Sequence, residues 1–389
     1  MSERDLRSAL LGVPVLDELE AQRRTWAVVR AAYAEREPVS RRAWRPRLVI
    51  AVAVAAALVA AALSPPGRSV GGWIRDRVAG KELAEPALVR LPAAGQLLVV
   101  SERGPWIVRP DGSKRLLGDY EDASFSPRAK FVVVTDGHLV MAVELDGDPR
   151  WQVARPGPVA DPRWAPSPGF RVAYREGDTL RVVAGNGTGD RLLARDVAPI
   201  APAWLPEEGR TVLAYADTTG RVHVVEADGE KELWSARTGA SPEKLAWSSD
   251  GRLLLVVTNS DRHPLYRANG RPARSVRTPA SQDVLDADFE PGTRDVAYSA
   301  FDSASRRSLV VLGDERLQAV EGHIDDLAFS PDGRWLLAGW PEADQLLFLR
   351  LPGVRRIVVV DDVRREFDPG STGASAFPRL VGWCCPPTP

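Results

Sequence analysis

An aromatic residue returns about every 40 positions along most of this chain, each time inside the same short pattern. The clearest copy is LAFSPDGRWLLAGW at residues 327–340. LAWSSDGRLLLVV (245–257), ASFSPRAKFVVV (123–134) and PRWAPSPGFRVAY (162–174) repeat it, and PAWLPEEGRTVLAY (202–215) and ADFEPGTRDVAYSA (287–300) do so more weakly. The recurring rings are Phe125, Trp164, Trp204, Trp247, Phe289 and Phe329, at successive spacings of 39, 40, 43, 42 and 40 residues.

A period of that length, with several short strands in each unit, is what a β-propeller blade requires. The ring should end the innermost strand and pack between neighbouring blades. Ser-Pro-Asp-Gly then reverses the chain, with proline pre-setting φ and glycine accepting a positive φ. The run from Leu253 to Val257 is apolar on both faces, as expected of a strand covered by blades on both sides. Asp146-Gly147, Asp228-Gly229 and Asn269-Gly270 mark hairpins farther out.

The two ends of the repeat region set the blade count. The stretch from Leu91 to Leu97 aligns with that from Trp247 to Leu253, which makes Leu91 a seventh anchor. The stretch from Leu380 to Pro386, containing Trp383, reads as one more inner strand with no blade after it. A lone terminal strand completes the first blade and removes two exposed edges. Seven blades is the expected count, with six or eight as alternatives, over residues 88–389. The Gly- and Ser-rich residues 366–377 would be the loop that lets the last strand return.

At this point a resemblance is visible. Phe329-Ser330-Pro331-Asp332-Gly333 and Trp247-Ser248-Ser249-Asp250-Gly251 are similar to the repeats of TolB-like and WD-repeat propellers. Gly322-His323 stands where WD repeats carry a Gly-His pair. Ala338 and Arg350, however, stand where that repeat would have Ser or Thr and tryptophan, so the looser TolB-like kind fits better. The resemblance implies the fold and says little about function.

Ahead of the repeats the chain changes character. From Leu48 to Leu63 it reads LVIAVAVAAALVAAAL, sixteen apolar residues without a charge. At about 1.5 Å per residue they give roughly 24 Å, somewhat short of a hydrocarbon core of about 30 Å. Arg47 can snorkel, and Trp44 and Trp73 suit the two interfaces. A signal peptide would begin its apolar run much nearer the N-terminus. A buried core helix would need an apolar partner, and nothing adjacent offers one. We therefore expect an uncleaved transmembrane helix over residues 47–64. Arg41, Arg42, Arg45 and Arg47 place the N-terminus in the cytoplasm by the positive-inside rule. Residues 65–87 are then a linker, and the propeller is extracytoplasmic on a single-pass protein.

Residues 1–46 read as a cytoplasmic helical segment. Leu19, Trp26 and Tyr33 recur at seven-residue intervals, with Val29 between them, and form one apolar stripe. A lone amphipathic helix of this length is marginal in water, so a cytoplasmic partner on that face, the membrane surface, a second copy or the leucines at positions 6, 10 and 11 should cover it. A short inner segment, one span and a large outer domain is also the layout of bacterial sensors and membrane-bound anti-sigma factors. The zinc-binding class of the latter uses His and Cys, and residues 1–47 contain neither.

Chemistry is sparse. The net charge of −1 argues against a general nucleic-acid grip, and the 46 arginines against five lysines point to a GC-rich, bacterial coding sequence. His138, His223, His263 and His323 fall in different units at unlike positions, with no metal-ligand spacing. The segment from Gly185 to Gly189 lacks the Lys-Ser/Thr ending of a phosphate loop and reads as a hairpin. Asp283, Asp286 and Asp288 read as a solvated acidic loop, lacking calcium-loop spacing. Cys384-Cys385 is a candidate disulfide, vicinal or between chains, unless the two side chains point to opposite faces of a strand. No catalytic, cofactor-binding or metal residue is assigned, and the expectation is a non-enzymatic binding or scaffolding domain, its partner a protein or cell-envelope ligand on the ring face. The alternative is a transmembrane regulator acting through residues 1–46.

Overall fold

The computed structural model describes residues 90–166, 170–207, 209–369 and 375–385. The stripe of Leu19, Trp26, Val29 and Tyr33, the run from Leu48 to Leu63 and the linker all lie outside the described residues. Among the described residues no helix is long and apolar enough to cross a membrane.

The repeat units become seven four-stranded sheets, and within each sheet neighbouring strands run antiparallel. Six of them use strands in chain order, so blade 2 spans residues 122–154 and blade 7 spans residues 327–360. The remaining sheet, blade 1, joins the two ends of the domain: Arg379–Cys384 lies beside Gln96–Ser101, followed by Gly104–Val108 and Lys114–Leu116. Leu97 faces Trp383 across that pairing, and a bulge follows Leu98. One strand from each sheet lines a common central cavity, and each of these strands touches the next around a closed ring. The fold is a closed seven-bladed all-β propeller.

The core is divided among the blade interfaces. Each of seven buried clusters combines residues of two adjacent blades. Phe289 of blade 6, for example, packs with Leu255 and Val257 of blade 5. The second strand of a blade is therefore covered on both sides: five of the six residues of Leu253–Thr258 are buried, as are five of six in Trp335–Trp340. The outermost strands alternate instead, Pro149–Ala154 exposing every second residue or more. Burial of apolar area at roughly 25 cal/mol per Å² makes these interfaces the main source of stability.

The strong sequence copies are explained at atomic detail by their turns. The Ser330 hydroxyl donates to Asp332 at 2.6 Å and accepts from the Trp335 N–H at 3.0 Å. Ser248, Asp250 and Leu253 reproduce that arrangement at 2.7 and 3.0 Å. Gly251 and Gly333 both take φ 67, where a side chain would strain the backbone. Both serines are fully buried, so the turn is an internal part of the blade rather than a loose loop.

Two expectations need correction. Residues 366–377 do not begin as a loop: Val363–Phe367 is a short helix, and its buried Phe367 meets Trp106 edge-on at 6.0 Å. The acidic residues Asp286 and Asp288 are not in a solvated loop either. They belong to Gln282–Phe289, the channel-lining strand of blade 6. Their alternation with buried Ala287 and Phe289 turns them toward the channel.

Candidate functional site

The central cavity, about 900 Å³, has two chemically different ends. At the ends of the inner strands stand the rings. Phe125, Trp164, Trp204, Trp247, Phe289 and Phe329 are each the last residue of their strand. Each packs onto the preceding blade, Trp204 beside Leu180 and Val182, Phe329 beside Ala297 and Val310. The Trp204 indole donates to the Arg163 carbonyl at 2.9 Å and the Trp247 indole to the Ala203 carbonyl at 3.2 Å, stitching blade to blade. Trp383 crosses the closure by packing alone, meeting Phe348 of blade 7 edge-on at 5.6 Å. Leu91 is buried in that interface but lies ahead of Gln96–Ser101, on no strand, with its N–H bonded to the Pro110 carbonyl. The inner strand of that blade comes from the other end of the domain, which is why Leu91 is not placed like the other rings.

The opposite end of the inner strands carries charge. Lys244 of blade 5 pairs with Asp286 of blade 6, whose other oxygen accepts from the Leu327 N–H of blade 7 at 2.8 Å. Asp326, just before the blade 7 strand, accepts from the Leu380 N–H of blade 1 at 2.7 Å. Arg379 of blade 1 then pairs with Asp122 of blade 2. Charge and hydrogen bonds thus pass through four successive blade junctions. In blade 3, Asp161 pairs with Arg175 at 2.6 Å. The Lys244 and Arg379 side chains still expose 38% and 43% of their surface to the channel.

This crowding raises two of the acids. Burial and the neighbouring Asp286 carboxylate raise Asp326 to about 7, against the Leu380 N–H, Arg379 and Lys244. Burial also raises Asp288, with Lys244 opposing it. For Lys244, burial opposes the charge, yet Asp286, Asp288 and Asp326 outweigh it and raise the amine. Arg379 is held charged in the same way by Asp122. The end of the channel can therefore take up or release a proton near neutral pH, and it presents cations and anions together. That suits recognition of a group carrying both signs, or of a partner's charged loop.

Of these residues only Asp286 and Asp288 stand out in the sequence, as near neighbours in an acidic stretch, although a signal for the others exists. Asp122, Asp161, Lys244, Asp286 and Asp326 each stand three positions before their ring residue. The repeat that reveals the anchors therefore also carries the channel charges.

The other sequence candidates lie elsewhere. His263 is buried, accepts from the Thr258 N–H at 3.2 Å, and is pushed down by burial, which keeps its ring neutral. His223 sits between Glu232 at 2.7 Å and Asp217 at 3.1 Å, stacked on Tyr215. His323 pairs with Glu342 and stacks on Phe301, while His138 is in a turn. Among the described residues that line the channel there is no histidine. Gly185 to Gly189 contains the hairpin turn after Thr179–Ala184, with the Trp151 indole donating to the Gly185 carbonyl at 2.8 Å. Cys384 and Cys385 are joined to each other by a disulfide, and Cys384 faces the cavity.

No protein-family model matches this chain. No curated protein matches it either. Among solved structures it is similar to the hydrazine synthase of Kuenenia stuttgartiensis, at 15% sequence identity and a TM-score of 0.47, over 59% of this chain and 75% of that one. That match corrects the expectation that the chain is not an enzyme, because the similar structure is an enzyme by name. The likeness transfers no activity, and a propeller by itself neither supplies catalysis nor excludes it.

Proposed function

We propose that this chain is a membrane-held propeller that docks a protein or cell-envelope ligand on the charged end of its channel. The observation that carries the reading is the ring of Lys244, Asp286, Asp326, Arg379 and Asp122. Two cations stay partly open to the channel, while Asp286 and Asp326 are each held by a backbone N–H group of the next blade. Fixed, partly solvated charges of both signs select an orientation as well as a partner. The apolar run from Leu48 to Leu63 supports insertion in the bilayer, and the arginines before it support a cytoplasmic N-terminus and an extracytoplasmic propeller. The Ser-x-Asp-Gly turns support the TolB-like, WD-related kind of repeat. A second reading, a transmembrane sensor whose stripe of Leu19, Trp26, Val29 and Tyr33 holds a cytoplasmic regulator, is favoured by that stripe alone.

Photocrosslinking in the native membrane tests the main reading. The full chain would carry a photoreactive residue at Glu243 in the channel lining or, as control, at exposed Ala273 on the outer strand of blade 5. A discrete adduct is expected from position 243, lost with Lys244→Glu, in protein that needs detergent for release from the membrane. Equal adducts from position 273, or adducts insensitive to Lys244→Glu, would remove the channel end as the docking surface. Release without detergent would remove the anchor.

A further inference from the structure

A second cavity, of about 430 Å³, lies between blade 7 and the segment that leads into blade 1. Four arginines line it, from three separate parts of the chain. Arg90 precedes blade 1, Arg334 follows the Ser330 turn, and Arg350 and Arg356 flank the outer hairpin of blade 7. Two backbone bonds hold the last three together: Arg350 N–H to the Arg356 carbonyl at 3.0 Å, and Leu351 N–H to the Arg334 carbonyl at 2.8 Å. The Arg350 guanidinium lies 5.9 Å from the ring centre of buried Trp335, which gives it a rigid platform.

Asp332 is the acid in the lining, and it is already engaged. It accepts from the Ser330 hydroxyl and from the Arg334 N–H at 3.1 Å, while the Arg334 Nε is 4.0 Å away. Four guanidiniums against one carboxylate leave the cavity at +3. Among the described residues, Arg90, Arg350 and Arg356 make no ion pair, whereas Arg155, Arg175, Arg181, Arg294 and Arg379 each face a carboxylate. Gathering like charges in one cavity is unfavourable unless an anion joins them. Leu91, Pro92 and Val358 supply an apolar wall beside the guanidiniums.

We propose that this cavity binds a phosphate-ester anion, with the arginine forks on its oxygens and the organic part against the apolar wall. Several planar guanidiniums, supplied by three separate parts of the chain, match a tetrahedral group with several oxygens better than a single planar carboxylate. The volume exceeds what a bare ion needs and falls in the range of small-ligand sites. The source is either a soluble phosphate ester or a phospholipid headgroup. Only the second rests on the membrane reading, in which the anchor ends at Leu63 and the chain reaches the cavity at Arg90.

Thermal unfolding of the full chain in neutral detergent micelles separates these sources. One arm adds sn-glycerol 3-phosphate, and the other dopes the micelles with phosphatidylglycerol. A saturable rise in melting temperature is expected in at least one arm. The double variant Arg90→Gln/Arg356→Gln, at exposed positions, should weaken the apparent affinity at least about tenfold. The equal charge loss in Arg252→Gln/Arg267→Gln should leave it unchanged. A rise with glycerol phosphate identifies a soluble ester and stands even if the anchor reading fails. A rise confined to the doped micelles identifies a headgroup. No rise in either arm, or equal losses in the two double variants, overturns the proposal.

Discussion

Asp326 shows how much of the site depends on where a single carboxyl is put. Its oxygen holds the Leu380 N–H and so ties blade 7 to the closing strand, yet burial and Asp286 raise its pKa to about 7. Its folded pKa lies above the ordinary value of 3.8. The folded state therefore keeps a proton that the unfolded chain has released, and stability falls as pH rises from about 4 to about 7, then levels. Asp326→Asn keeps an acceptor for Leu380 without the charge. Its stability relative to wild type should climb across that window, by on the order of a few kcal/mol at most. Denaturant midpoints at pH 5 and pH 8 measure this. Parallel pH dependence in the two proteins would show that Asp326 is ionised throughout.

At the scale of single elements, the hairpins between third and fourth strands show which sequence signals were local enough to read. Asn269-Gly270 forms the expected turn, with Gly270 at φ 82. In the Asp228-Gly229 turn the left-handed position falls instead on Glu230, at φ 50. What the dipeptide could not reveal is the neighbour. The Trp234 indole of blade 4 lies against Gly270 and donates to the Ala268 carbonyl at 2.8 Å, so a Cβ on Gly270 would stand 2.7 Å from the indole. Gly270→Ala should therefore cost roughly 2–4 kcal/mol, backbone strain plus overpacking. Gly239, at φ 83 with nothing near its Cβ position, carries the strain alone and should cost about 1–2 kcal/mol as Gly239→Ala. Urea midpoints of the two variants compare them. Equal losses would mean that the Trp234 contact adds nothing.

The whole molecule depends on a strand that is remote in sequence from the blade it completes. Arg379–Cys384 pairs with Gln96–Ser101, buries Trp383 against Phe348 and reaches Asp122 of blade 2 through Arg379. Ending the chain at residue 378 would expose a strand edge and open the channel wall. The truncated protein should lose its cooperative melt or aggregate. Trp383→Ala keeps the strand and should cost about 3–5 kcal/mol by the cavity it leaves. An unchanged melt in the truncated protein would mean that the ring does not close through this strand.

The repeat, the ring residues, the Ser-x-Asp-Gly turns and the closing strand are legible without the structure, because each is a property of short stretches recurring at a fixed period, whereas only the closed ring decides for seven blades over six or eight. The sequence misplaced Leu91, whose local pattern matches an anchor although the inner strand of that blade comes from the other terminus. The channel charges are likewise hidden, Asp286 and Asp288 reading as a solvated loop and the others as nothing in particular. Lys244, Asp286, Asp326, Arg379 and Asp122 look like ordinary surface residues until the ring closes and sets them at adjoining blade junctions around one cavity. Their meaning is electrostatic, and electrostatic energy depends on distances through space that residues 40 positions apart acquire only in the folded ring.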